Sequence, residues 1–367
     1  MNFNLIKSLE DGIKVYQKNE MFLVERYLKN YINKPKYLDK LNCWLVDKDY
    51  INYYLIRFKK NRSLFKIFKV FKEKLPVNKS IIAHACKKGN IKIVKELIDI
   101  FGDNLPIDKD AIFYACKNNN NKIVKELVKV FRNKLPINEY AIYIACGNGN
   151  TGIVKELIKN YGNKLPIEKE AISFVCKNNN IEIVKLLVNT FRDKLPISKY
   201  AIYWACRNNN IEIVKILVNT FRDKLHIDRH AIYEACNNNN IEIVKELIRV
   251  FGNKIPIDKN AIFCACYNNN IEIVKALVEV YGYNLPINVH AINYACYHNN
   301  IEIVKALVDT FRDNLPINGY TIYYACYNNN IEIVKMLVDT FGDNSLIDED
   351  EIKKVCKDSK ILELLKI

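Results

Sequence analysis

Ten cysteines stand at a constant spacing of 30 residues: Cys86, Cys116, Cys146, Cys176, Cys206, Cys236, Cys266, Cys296, Cys326 and Cys356. A period in this range marks a repeat architecture, in which one unit cannot bury its apolar faces alone and stacking supplies the core. It replaces the two or three ordinary domains that 367 residues would otherwise suggest. Nine units run over residues 81–350, and a truncated, polar tenth at 351–367 reads as a C-terminal cap. A degenerate unit at 51–80 keeps the Lys74-Leu75-Pro76-Val77 segment of later units, and residues 1–50 lack the repeat.

Each unit reads as two short helices. Counting Ala201 as position 1, the first helix is expected over Ala201–Asn208, where Ala201, Ile202, Ala205 and Cys206 scarcely vary between units. At about 100° per residue these four share one face, and Tyr203, Trp204 and Arg207 fall opposite, at variable positions. From Ile211 a second stripe follows: Ile211, Ile213, Val214, Leu217, Val218 and Phe221, with Glu212, Lys215 and Asn219 opposite. Between the helices lies Asn208-Asn209-Asn210, and the middle residue is Gly at Gly89 and Gly149, which predicts a left-handed backbone there. The proline of the next segment (Pro106, Pro136, Pro166, Pro196, Pro256, Pro286, Pro316) is expected to end the second helix and set an extended return. No segment alternates long enough for a strand. The expectation is an all-α helix-turn-helix solenoid with helical caps at both ends, about 80–90 Å long at ~8–10 Å per unit.

These residues carry a family resemblance. The unit Ala-x-x-x-Ala-Cys-x-Asn-Asn-Asn-Ile-Glu-Ile-Val-Lys-x-Leu-Val resembles the ankyrin repeat. The family's T-P-L-H-x-A-A box aligns with His230-Ala231-Ile232-Tyr233-Glu234-Ala235-Cys236, and its N-G-H-x-E-I-V-K-x-L-L run with Asn238 to Ile248. The Asn-, Lys-, Ile- and Tyr-rich usage is similar to that of ankyrin proteins encoded by AT-rich genomes, including large DNA viruses and amoebae. The chain departs from the pattern in three ways. The Thr-Pro pair is missing, the His of the box is replaced (Phe113, Tyr143, Ser173, Asn293), and the unit is 30 residues where the family usually has 33. The shortening falls after the second helix, so the family's β-hairpin finger is expected to shrink to a turn.

The residues point away from catalysis. No Ser-His-Asp set, glycine-rich phosphate loop or H-E-x-x-H is present, and His84, His226, His230, His290 and His298 are too scattered to share a metal. No cofactor is expected. The repeat cysteines lie on the invariant apolar face and read as small hydrophobes, with neighbours too far apart for disulfides. Reduced cysteines imply an intracellular, cytoplasmic setting, the host cytoplasm if the chain is viral. No apolar run approaches the ~18 residues of a membrane span.

Partner binding is the remaining function. Positions 4 and 7 of the first helix and position 30 vary freely, and the resemblance implies that such sites line a concave groove. The candidates are Tyr114, Lys117, Tyr140, Phe174, Lys177, Tyr200, Trp204, Arg207, His230, His290, Tyr294, Tyr297, Tyr320, Tyr324 and Tyr327. Tyr, Trp and Arg dominate interface hot spots. The expected role is a monomeric, non-catalytic scaffold that binds a protein. Two alternatives stand beside it. Residues 1–230 carry a net charge of +20 against −5 for 231–367, which suits nucleic acid. Residues 1–50 are either an N-terminal cap or an adaptor that recruits a ubiquitin ligase.

Overall fold

The computed structural model of the protein describes residues 79–342 and 348–367. The readings of residues 1–50 as cap or adaptor, and most of the degenerate unit at 51–80, lie outside these. Two compact units are present, divided after Pro166. In the first, α1 (Lys79–Lys87), α2 (Ile91–Phe101), α3 (Lys109–Lys117), α4 (Asn121–Phe131), α5 (Glu139–Gly147) and α6 (Thr151–Tyr161) follow in order. In the second come α7 (Lys169–Lys177), α8 (Ile181–Phe191), α9 (Lys199–Arg207), α10 (Ile211–Phe221), α11 (Arg229–Asn237), α12 (Ile241–Phe251), α13 (Lys259–Tyr267) and α14 (Ile271–Tyr281). It closes with α15 (Val289–Tyr297), α16 (Ile301–Phe311), α17 (Gly319–Tyr327), α18 (Ile331–Phe341), α19 (Glu349–Val355) and α20 (Ser359–Leu365). No strand occurs among the described residues. Within each unit, odd-numbered helices pack on odd ones and even on even, one repeat apart.

The core follows the invariant face. Ala201, Ile202, Ala205 and Cys206 are fully buried, as are their equivalents from Ala111 to Cys296 wherever these are Ala, Ile and Cys. Ile213, Val214, Leu217 and Val218 are also fully buried, and Leu225 closes the layer from the connection. Ile211 is only half-buried and its equivalent Ile331 is exposed, because the first residue of the helix sits at the edge of the stripe.

The three asparagines between the helices act separately. Asn208 Nδ2 donates to the carbonyls of Cys176 (2.8 Å) and Lys177 (3.0 Å), the last carbonyls of the preceding first helix. Asn118, Asn148, Asn238, Asn268 and Asn328 repeat this bond pair. The Cys176 carbonyl also accepts from the Asn179 N–H of its own turn (3.0 Å), and the neighbouring repeat adds the side-chain bonds that complete the C-terminal cap. Asn209 holds φ 56°, and Asn or Gly fills every such site described, which bears out the left-handed turn. Asn210 Oδ1 accepts from the Ile213 N–H (3.0 Å), capping the second helix, while its Nδ2 donates to Asn179 Oδ1 of the preceding repeat (2.7 Å). One tripeptide therefore turns the chain, caps two helices and ties adjacent repeats together.

Two expectations are corrected. First helices begin two residues before the alanine, as at Lys199, because an extended residue such as Ser198, Asp228 or Asn288 stands at the N-cap. The proline does not end the second helix. The helix stops five residues earlier, where Gly102, Arg132, Gly162, Arg192, Arg222, Gly252, Gly282 and Arg312 adopt positive φ. A short 3₁₀ turn follows, and Leu105 and its equivalents are extended before the proline. Leu225 is extended as well (φ −81°, ψ 104°), although His226 stands where seven of the nine repeats have Pro. The connection contains no hairpin finger, in line with the shortened repeat.

Candidate protein-binding face

Each first helix divides by rotation. Positions 1, 2, 5 and 6 face the seam, and positions 3, 4, 7 and 30 point outward. Position 30 lies in the first turn of the helix and not in a preceding turn, so Tyr140, Tyr200, His230, His290 and Tyr320 join the same helical surface as positions 4 and 7. All five are exposed. Position 4 is half-buried at Tyr114, Phe174, Trp204, Tyr294 and Tyr324, and position 7 is exposed at Lys117, Lys177, Arg207, Tyr297 and Tyr327. Every candidate residue is thus accessible, while the cysteine one residue before position 7 is sealed.

In the first unit, Lys87 Nζ lies 5.2 Å from the Tyr114 ring and Lys117 Nζ 5.8 Å from Phe113. In the second unit the same pattern is denser. Lys177 stands over both Phe174 and Trp204, and the Arg207 guanidinium lies 5.3 Å from Trp204 and 5.9 Å from Tyr203. Arg207 also donates to Tyr203 Oη and pairs with Glu234 at 3.9 Å, which holds the guanidinium firmly in its charged form. From repeat 7 onward rings replace the cations. Tyr267 packs edge-on against Tyr294 (5.0 Å) and Tyr297 against Tyr324 (5.4 Å). Phe263, His290, Tyr320, Tyr323 and Tyr327 extend this cluster.

Position 3 was missed as a site. Tyr203, Phe263 and Tyr323 contribute rings because positions 3 and 7 are four apart and stack along the helix. Ser173 and Asn293 occupy the same position but are buried, bonding Ser198 Oγ (2.8 Å) and Asn318 Oδ1 (3.2 Å). Position 4 of repeat 7 is Cys264, also buried.

The eleven described cysteines are free, buried thiols. Burial pushes Cys264 up to about 11, Cys116 and Cys326 to about 12, and Cys86, Cys146, Cys176, Cys206, Cys236, Cys266 and Cys296 higher. At the last repeat Cys356 caps the short α19 in an extended conformation, and its Sγ donates to the Asp358 carbonyl at 3.6 Å. Among the described residues no group of His, Cys, Asp and Glu is arranged to hold a metal, and no helix is long and apolar enough to cross a membrane.

A separate surface runs along the second helices. In the second unit, position 15 lysines pair with position 12 glutamates of the next repeat, as in Lys245–Glu272 (3.2 Å) and Lys275–Glu302 (3.8 Å). In the first unit positions 12 are Lys92, Lys122 and Gly152. There Lys125, Lys129, Arg132 and Lys159 line a cleft of about 550 Å³ with Val128, Asn133, Glu156 and Asn160.

The family model described as ankyrin repeats (3 copies) matches the chain in overlapping windows at residues 54–137, 112–193, 142–228, 202–289, 232–310 and 262–348. No curated protein matches the chain.

Proposed function

We propose, since the chain belongs to the ankyrin-repeat family, that it is a non-catalytic scaffold that binds a protein partner through the variable face of its first helices. Ankyrin repeats are generally protein–protein interaction modules. The observation that carries the reading is the split within each first helix: seam positions scarcely vary and are buried, while positions 4, 7 and 30 vary and carry accessible Tyr, Trp and Arg. Large rings on a face unused for packing favour a binding surface, because burying them on a partner recovers apolar area. The rings are held by helices whose ends are capped, so little ordering cost falls on binding. The test is affinity capture from the native cell with the wild type and with a Tyr200→Ala, Trp204→Ala, Arg207→Ala variant. Loss of the captured partner supports the reading. Equal recovery by a folded variant overturns it.

A second reading has its own observation. Among the described residues, no carboxylate lies within ion-pair distance of Lys125, Lys129, Arg132 or Lys159, so the cleft they line suits a polyanion such as nucleic acid. It predicts retention on single- or double-stranded DNA that falls steeply with salt, and absence of retention at low salt excludes it. The adaptor reading rests on residues 1–50 and is tested by deleting them and assaying ligase recovery.

A further inference from the structure

The first-helix face changes chemistry along the second unit, and the change indicates what the far end binds. In repeats 4 and 5 the position 7 cations lie over position 4 rings: Lys177 Nζ is 5.1 Å from the Trp204 ring, one repeat on, and Arg207 is 5.3 Å from the same ring. A cation at that distance is attracted by the negative face of the aromatic system. In repeats 7 to 9 the residues at position 7 are Tyr267, Tyr297 and Tyr327. The centroids of Tyr267 and Tyr297 stand 5.0 and 5.4 Å from Tyr294 and Tyr324, so a neutral ring occupies the place of the cation. Tyr267, Tyr297, Tyr320 and Tyr327 each keep more than half of their surface in solvent, between 52% and 61%.

No Lys or Arg stands at positions 3, 4 or 7 of these repeats, nor at residues 289, 290, 319 and 320. Lys259, at the start of α13, is the Lys or Arg on the described first helices of these repeats. The surrounding stretch is acidic: residues 261–350 hold four basic and eleven acidic side chains. None of those acids stands at these first-helix positions, so phosphate backbones find no counter-charge there, whereas the exposed ring faces are complementary to ammonium and guanidinium groups.

We propose that the tyrosine face of repeats 7 to 9 docks a basic peptide segment of the partner, with its Arg or Lys side chains laid over Tyr267, Tyr297 and Tyr327 where repeats 1, 2, 4 and 5 carry their own cations. This rests on the reading of the first-helix face as the docking surface and specifies the partner's chemistry.

The experiment selects random linear peptides, displayed on phage, against the full-length chain, and then measures the affinity of the enriched sequences as synthetic peptides. The enriched set is expected to be rich in Arg and Lys. Replacing a contacting Arg by citrulline, its neutral isostere, weakens binding about three- to thirtyfold, the range of a cation–π contact at exposed to desolvated sites. Tyr297→Phe keeps the affinity, because the ring remains. Tyr297→Leu lowers it by a similar factor. Tyr297→Lys also abolishes the gain, because the new ammonium covers Tyr324 as Lys177 covers Trp204. Far-ultraviolet circular dichroism and unfolding midpoints establish that the variants are folded. Neutral or acidic peptides that depend on the same tyrosines overturn the basic-partner inference and leave the docking face standing. Basic peptides indifferent to every tyrosine substitution overturn both. Citrulline peptides that bind equally well, or a selection that enriches nothing, overturn the inference.

Discussion

Replacing Arg192 by Gly is expected to stabilise the protein, against the usual direction for a glycine substitution. Arg192 ends α8 with φ 52° and ψ −135°. Its counterparts Gly162, Gly252 and Gly282 sit at φ 53–55° and ψ between −135° and −139°. An L-residue is crowded by its own Cβ in this region, and such strain costs about 1–3 kcal/mol. Space is not the difficulty, for a Cβ placed at Gly162, Gly252 or Gly282 meets nothing within 4 Å. The bonds of the turn use only backbone: the residue 192 N–H donates to the Val188 carbonyl and its carbonyl accepts from the Leu195 N–H at 3.2 Å. Glycine keeps both. Against the relief stands the extra freedom that glycine gives the unfolded chain, roughly 0.4–1 kcal/mol. The balance is a gain of about 0.5–2 kcal/mol. Urea unfolding reads it as a higher midpoint at unchanged slope. Arg192→Gly with Arg312→Gly doubles the shift, since the two turns lie four repeats apart and share no partners. A control at a mid-helix exposed site, Lys185→Gly, lowers the midpoint by about 1 kcal/mol. A lower midpoint for Arg192→Gly refutes the strain reasoning.

Asn208→Ala removes two bonds across the repeat seam, at 2.8 and 3.0 Å, and is expected to cost about 1–3 kcal/mol at roughly 0.5–1.5 per bond. The same change at Asn148, whose bonds are both 3.4 Å, costs less, and comparable midpoints for the two variants contradict the account. Thiol labelling at pH 8 is expected to be slow at the described cysteines from Cys86 to Cys326 in the native protein, because even Cys264, raised to about 11, is thiolate in only about one molecule in a thousand. Rapid labelling of the folded chain at any of these cysteines, located by peptide mapping, refutes their burial. His84 has its pKa lowered by burial and then by Lys88 and Lys87. The unfolded state therefore binds the proton more readily, and the first repeat's stability falls as the pH drops below about 6.5 and is regained above it. Hydrogen exchange in α1 measured across that range follows the change, and a pH-independent rate of opening contradicts it.

Much of the fold is legible because the chain is its own alignment. Nine copies separate positions that must pack from positions that need not, and Ala201, Ile202, Ala205 and Cys206 declare the seam through their constancy. Asn209 was readable in the same way, since only Gly replaces it. Asn208 and Asn210 were not, because their partners lie one repeat away and constancy alone does not distinguish a cap from a turn former. The helix stop was obscured by Arg192 and its kin. Arginine gives no sign of a positive φ, whereas the proline four residues later is conspicuous. On the candidate face, positions 4 and 7 were visible as variable sites. Position 3 was hidden because it is split between exposed rings such as Tyr203 and buried polar residues such as Ser173. Variation at a position reports freedom from packing, and the packing of one ring on the next required coordinates.

Hydroxyl-radical footprinting of the full-length protein, alone and with its captured partner, tests the division into buried seam and binding face most directly. The account predicts that Tyr200, Tyr267, Tyr297 and Tyr327 are oxidised in the free protein and protected in the complex. Tyr283, 80% exposed on the connection after α14, stays reactive in both, and the seam cysteines stay silent in both. Protection confined to Tyr283 or to the lysines of the second helices, with the first-helix tyrosines unchanged, contradicts it.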